Sequence, residues 1–155
     1  MKYKKLIQCL ECLKCYKDRT DHHPERNVLE HSLQAYYLSK KESTDKTLIT
    51  AALFHDIGKQ ISTLEHHKFS IDILESFGYK NEKVLWLINN HIRIIYWLNG
   101  QMKRYSKSKE LFDNKYFLDL VHLRRIDYSA RNKNKVTKLT EDLKIEINNL
   151  LEETE

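Results

Sequence analysis

His55 and Asp56 stand side by side at the end of the apolar run Leu48-Ile49-Thr50-Ala51-Ala52-Leu53, in the segment Phe54-His55-Asp56-Ile57-Gly58-Lys59. An apolar run of this kind predicts a buried helix. A buried imidazole and a buried carboxylate both need partners, because removing either from water uncompensated is costly. A metal ion is a common way for adjacent nitrogen and oxygen donors to be satisfied inside a protein. Whatever fold the chain adopts must bury this helix and bring further donors to its end.

The 155 residues are enough for one domain with a real core, and the reading is a single domain over residues 1–155. Only 3 Gly and 1 Pro are present, few for a β-rich or loop-rich protein. With 32% of residues charged and 41% hydrophobic, the balance suits helices with charged outer faces. No apolar stretch approaches the roughly 20 residues that span a bilayer. Met1-Lys2-Tyr3-Lys4-Lys5 leads into a short apolar patch interrupted by Glu11 and Lys14, unlike a secretory leader. The expectation is a cytoplasmic chain with 3 reduced cysteines and no membrane partner. A net charge of +5 is compatible with anionic substrates and does not by itself imply nucleic-acid binding.

Helical periodicity predicts an all-α fold of six to seven helices, at 3–17, 26–42, 45–57, 63–77, 82–98, 111–132 and 137–152. Gly58, Gly78 and Gly100 each follow such a run, where a left-handed C-terminal cap is expected. Ser62-Thr63-Leu64-Glu65 fits a capping box, and Asn81-Glu82 a second helix start.

Polar residues fall on three of the apolar stripes. His31 shares a face with Val28, Ala35 and Leu38. His91 shares one with Val84, Leu87, Ile88, Ile95 and Leu98. Asp127 shares one with Tyr116, Leu120, Leu123 and Ala130. Any one of these alone reads as a hydrogen-bonded core residue. Together with His55-Asp56 they place metal-ligand side chains inward from separate helices. A mixed imidazole and carboxylate set suits Mn, Fe, Co, Ni or Zn, and suits Ca poorly.

The order His31, His55-Asp56, Asp127 resembles the HD-domain metal-dependent phosphohydrolase superfamily over about residues 27–131. In that resemblance His31, within Asn27-Val28-Leu29-Glu30-His31-Ser32-Leu33, corresponds to the first ligand. His55 and Asp56 are the eponymous pair, and Asp127, within Leu123-Arg124-Arg125-Ile126-Asp127, is the last ligand. His23-Pro24-Glu25 is similar to the segment that precedes the first ligand in HD domains of bacterial tRNA nucleotidyltransferases, with Arg26 where those often have Gly. Glu65-His66-His67 and Asn89-Asn90-His91 resemble the later histidines of that branch.

The resemblance implies an all-α fold with flanking helices, one or two divalent ions (Mn, Fe, Co, Ni or Zn, or Mg), and hydrolysis of a nucleotide or other phosphoester. Attack on phosphorus by metal-bound hydroxide would displace an alcohol or a phosphate. Charge developing on the phosphoryl oxygens calls for cations. Lys59, Arg124, Arg125 and Arg131 are candidates, each equally readable as ion-paired or solvated. Some HD nucleotidases carry an acidic residue where Lys59 stands, which argues against nucleoside 5′-monophosphate cleavage by that scheme. His66 (or His67) and His91 read either as substrate-binding or proton-transfer groups or as ligands of a second metal, with the first reading favoured. Catalytic candidates are thus His55, Asp56, Lys59, His66 and His91, and substrate-binding candidates Lys59, His66, His91, Arg124 and Arg131. Two alternatives remain: a non-catalytic nucleotide- or RNA-binding HD module, and a di-iron HD oxygenase that cleaves carbon–carbon or carbon–phosphorus bonds.

Cys9, Cys12 and Cys15 are spaced to lie along one broad helix side with Leu6, Leu10 and Leu13, which reads as core packing. A zinc site would need a fourth ligand such as His22. Lys103-Arg104-Tyr105-Ser106-Lys107-Ser108-Lys109 reads as a solvated basic loop near the pocket, or as a track for a phosphate backbone. Val136, Leu139, Leu143, Ile147 and Leu150 form a stripe that packs back on the domain or makes a dimer face, so the chain is expected as a monomer or homodimer. The expected partner is a small phosphorylated substrate, a nucleotide ahead of nucleic acid.

Overall fold

The computed structural model describes residues 1–17, 27–132 and 134–155. The described residues form α-helices and 3₁₀ turns, with no strand among them. The helices are α1 (Lys4–Cys12), α2 (Val28–Glu42), α3 (Lys46–Phe54), α4 (His66–Ser76), α5 (Glu82–Asn90), α6 (Arg93–Leu98), α7 (Tyr105–Phe112), α8 (Phe117–Ser129) and α9 (Glu141–Thr154). Short 3₁₀ turns follow α1 at Leu13–Cys15 and α3 at Ile57–Gln60. No described helix is long and apolar enough to cross a membrane.

The predicted buried helix, α3, is the axis of the fold. Every residue from Leu48 to Phe54 is buried. It packs against α2, α5, α8 and α9, so it has no solvent face and tolerates apolar residues all round. Asp45 starts it by accepting hydrogen bonds from the Thr47 and Leu48 amides. The same carboxylate meets Lys83 at 2.6 Å, and Lys83 reaches Asp119 of α8 at 2.8 Å. One cation therefore ties α5 to the start of α3 and to α8. Leu143, Ile147, Leu150 and Leu151 of α9 are buried against the rest of the fold, while Val136 stays exposed.

Several local expectations need correction. The predicted helix 82–98 is two helices, α5 and α6, because side chains near the break take helix carbonyls: Asn90 Nδ2 donates to Trp86 O (2.8 Å) and His91 Nδ1 meets Ile88 O (2.6 Å). Part of the stretch between 98 and 111, read as a loop, is helical in α7, and the helix expected from 111 begins at Phe117. Ser62 Oγ does accept the Glu65 amide (3.3 Å), but α4 starts at His66 rather than at residue 63, and Glu65 makes no reciprocal cap. Asn81 caps α5 as expected, accepting from the Val84 amide at 2.9 Å.

The cysteines do not form a buried stripe. Leu6, Leu10 and Leu13 take the core face, Cys12 and Cys15 are exposed, and Cys9 lies at the core's edge. The proposed fourth zinc ligand, His22, and the segment His23-Pro24-Glu25-Arg26 lie outside the described residues.

Gly78 and Gly100 have positive φ, as left-handed caps do, but Gly58 does not. Gly58 is needed for space. A Cβ there would stand 2.1 Å from the His66 carbonyl oxygen and 2.6 Å from the Ser70 amide. Both obstacles are backbone, so α4 could not sit against the Ile57–Gln60 turn. Gly58→Ala should therefore lower the urea midpoint more than Gly78→Ala. The second is expected to cost about 1 kcal/mol for a left-handed Cβ, the first at least as much as ordinary overpacking, about 1–3 kcal/mol.

Asp45 supplies a pH-dependent prediction. Burial pushes its carboxyl up, but the hydrogen bonds from Lys83 and Thr47, and the Lys83 charge, hold it below its ordinary 3.8. A carboxyl depressed on folding adds stability above its unfolded pKa and loses it as pH falls through the folded pKa. Asp45→Asn should melt several degrees below wild type at pH 7. That gap should narrow below about pH 4, as scanned by thermal denaturation.

Candidate metal centre

The ends of α3, α4, α5 and α8 and the middle of the first turns of α2 meet at one buried point. His55 is the C-terminal cap of α3, and Asp56 follows it. His66 opens α4, and His91 caps α5. His31 lies one turn into α2, and Asp127 two residues before the end of α8. All six side chains are buried.

Hydrogen bonding orients the imidazoles. His55 Nδ1 lies 2.9 Å from Ala52 O, His66 Nδ1 2.7 Å from Thr63 O, and His91 Nδ1 2.6 Å from Ile88 O. In each case the ring reaches the carbonyl three residues back. His31 Nδ1 instead meets Ala130 O of the α8 cap at 3.0 Å. A carbonyl only accepts, so Nδ1 carries the proton and each Nε2 turns a lone pair inward.

Those lone pairs face one another and the carboxylates. His31 Nε2 is 3.3 Å from His55 Nε2 and 3.0 Å from Asp127 Oδ1. Asp56 Oδ2 is 3.7 Å from His31 Nε2 and 3.5 Å from His55 Nε2. On its other side, Asp56 Oδ1 is 3.1 Å from His66 Nε2 and 3.8 Å from His91 Nε2, and these two nitrogens are 3.0 Å apart. Acceptors this close repel unless positive charge lies among them. Donors bound to one ion at about 2.1 Å, at tetrahedral or octahedral angles, would be about 3.0–3.4 Å apart, close to what is seen. Two groups can hold a metal ion: His31, His55 and Asp56, and Asp56, His66 and His91. Asp56 belongs to both. The nitrogen and oxygen donors, with no sulfur, fit a divalent transition ion.

Electrostatics agree with that fit. Burial pushes the His91 imidazolium down, and competition with the adjacent His55 and His66 rings for a proton adds to it, to a pKa of about 3. His91 is thus a neutral donor at physiological pH. Burial alone would raise the Asp56 carboxyl. His55, Lys59 and His66 outweigh burial and hold it well below the usual carboxylate range. Asp127 behaves alike, with His31 and His55 overriding burial.

The predicted cations divide. Lys59 Nζ donates to Asp56 Oδ2 at 2.9 Å from a buried position. Arg124 Nη1 donates to Asp127 Oδ2 at 2.9 Å, and Arg131 Nη2 stands 3.7 Å from Asp127 Oδ1. Arg125 pairs with Glu42 at the surface. His66, not His67, enters the cluster; His67 is only half-buried, with a buried Nδ1 that lacks a hydrogen-bond partner.

Sequence reasoning missed Ser70. Its hydroxyl accepts the Gly58 amide and donates to His55 O, both at 2.9 Å, clamping the His55-Asp56 turn to α4. The signal was available, since Ser70 is four residues after His66 and shares its helix face.

Metal linkage gives a direct check. Adding Mn²⁺, Ni²⁺ or Zn²⁺ to chelator-treated protein at about 100 times Kd should stabilise it by about 2.7 kcal/mol. For a chain of this size that is about 5–10 °C in Tm. The shift should vanish in His55→Ala.

No curated protein matches the chain. The family model described as HD domain matches residues 28–132, which contain each of these inward-facing donors. With an all-helical fold and a buried group of His31, His55 and Asp56 that can hold a divalent ion, with Asp127 beside it, the chain belongs to the HD-domain superfamily of metal-dependent phosphohydrolases.

Proposed function

We propose that the chain hydrolyses a phosphoester, with a nucleotide as the leading substrate class, at the His31, His55, Asp56 and Asp127 cluster. The observation that carries this reading is the convergence of imidazole Nε2 lone pairs on the two oxygens of one buried carboxylate, Asp56. A divalent ion held there would acidify a water and polarise a phosphoryl oxygen.

The chain's own residues supply the rest. In the overall reaction water oxygen bonds to phosphorus, the phosphorus–oxygen bond to the leaving group breaks, and the leaving oxygen gains a proton. Asp56 and Asp127 keep their negative charge despite burial because cations and imidazoles surround them. Lys59, beside Asp56 Oδ2, is placed to meet charge developing on the phosphoryl oxygens. Arg124 holds Asp127 through a direct hydrogen bond and so acts as a positioning residue. His66 and His91 have two available roles. Their sharing of Asp56 Oδ1 favours a second ion over the direct substrate contact expected from sequence.

Metal content and phosphate release test the proposal. Purified protein should release product from some member of a nucleotide and phosphodiester panel with Mn²⁺, Ni²⁺, Co²⁺ or Mg²⁺. His31→Ala and Asp127→Ala should lower kcat by about 10³-fold or more, and Lys59→Ala by about 10²-fold, the scale of losing one charge-stabilising donor. His66→Ala and His91→Ala should halve the bound metal if the paired site holds. Nucleotide binding with no turnover on any substrate would support the binding-module reading instead. Paired iron with oxygen uptake would support the oxygenase.

A further inference from the structure

Beyond the metal centre, α6, α7 and their connection enclose a cavity of about 270 Å³ lined by Arg93, Lys103, Arg104 and Lys107, with Tyr96 and Met102 as its apolar wall. No carboxylate lines it. Among the described residues none of these cations is within ion-pair distance of an acidic group. Other surface lysines differ: Lys109 pairs with Asp113, and, elsewhere on the molecule, Lys40 pairs with Glu146 and Lys46 with Glu153. Arg93 is held by neutral acceptors. Its guanidinium donates to Asn90 Oδ1 at 2.8 Å and to Lys107 O at 3.5 Å, which leaves its charge uncompensated. Asn90 is itself buried and precedes His91 in the chain. The first turn of α7 carries no acidic residue and no side-chain cap, so its amide dipoles add to the positive field.

Two aromatic rings flank these cations in the open. Tyr96 is 51% exposed and Tyr105 74% exposed. Exposed rings beside a basic groove are the pairing that takes up single-stranded nucleic acid, since cations track phosphates and any base can stack. Arg93 is two residues from His91, so their Cα atoms are at most about 7 Å apart. The backbone of one cavity cation thus lies beside a member of the buried His/Asp cluster.

We propose that the Arg93, Lys103, Arg104 and Lys107 cavity binds the backbone of a single-stranded nucleic acid, with Tyr96 and Tyr105 stacking its bases. This inference rests on the hydrolase reading for what happens to the bound strand, and it assigns oligonucleotides as that site's substrate class. It reverses the sequence-based preference for a solvated basic loop.

The test is fluorescence anisotropy of wild-type protein with a labelled phosphorothioate oligothymidylate, which resists hydrolysis, over a salt series. The double variant Arg93→Ala with Lys107→Ala should bind at least about tenfold more weakly, and its salt slope should fall by about 1.4, at about 0.7 per lost phosphate contact. The charge-keeping pair Arg93→Lys with Lys107→Arg should retain most of the affinity, and an unchanged Tm would show that the alanine variant folds. Equal binding by wild type and the alanine variant would overturn the proposal, as would equal competition by thymidine monophosphate or polyglutamate. Hydrolysis of bis(p-nitrophenyl) phosphate by wild type reports on the metal centre separately. Absence of hydrolysis of this diester and of every member of the nucleotide panel, alongside charge-dependent strand binding, would overturn the hydrolase reading and leave the strand site standing.

Discussion

The shared carboxylate of Asp56 is the constraint on which the rest of the structure depends. It is buried, it stays ionised, and it faces a pair of imidazoles from each of its oxygens. An ionised carboxylate in a dry interior is tolerated only when surrounding charges and hydrogen bonds replace its lost water. Here the replacement requires α2, α3, α4 and α5 to end or begin within a few ångströms of one another. The apolar length of α3 holds that meeting point in the core, and the Gly58 contact with α4 brings His66 close enough to take part.

Three of the four site histidines solve a local problem in the same way. Each stands at a helix end or just beside a turn and gives its Nδ1 proton to the carbonyl three residues before it. Backbone carbonyls beside these helix ends thus become the supports that orient the rings. This links chemistry to secondary structure. The chain breaks its helices at His55 and His91 because the ring takes a carbonyl there, and the break frees the ring to point into the centre.

Charge is partitioned with similar economy. Lys59, Arg124 and Arg131 are turned onto the two buried carboxylates and hold the donor set together. Arg93, Lys103, Arg104 and Lys107 are left without an acidic partner and face an open cavity. The positive charge of the sequence is thus divided between internal compensation around Asp56 and Asp127 and an outward-facing basic cavity, the one proposed to take an anionic ligand. Composition alone could not separate them.

The sequence by itself determined the helical class, the burial of α3, and the inward placement of His31, His55, Asp56 and Asp127, because side-chain periodicity on a helix is a local property that reads out which face turns inward. The capping of α5 by Asn81 was legible for the same reason. Only the tertiary structure decided that Asp56 is shared between two imidazole pairs, that His66 rather than His67 enters, and that Gly58 is required for packing instead of turn conformation. It also decided the split between α5 and α6 and the exposure of Cys12 and Cys15. These outcomes depend on which atoms from distant segments come within a few ångströms of each other. That is set by how the helices pack around α3, and no periodicity within a single helix encodes it.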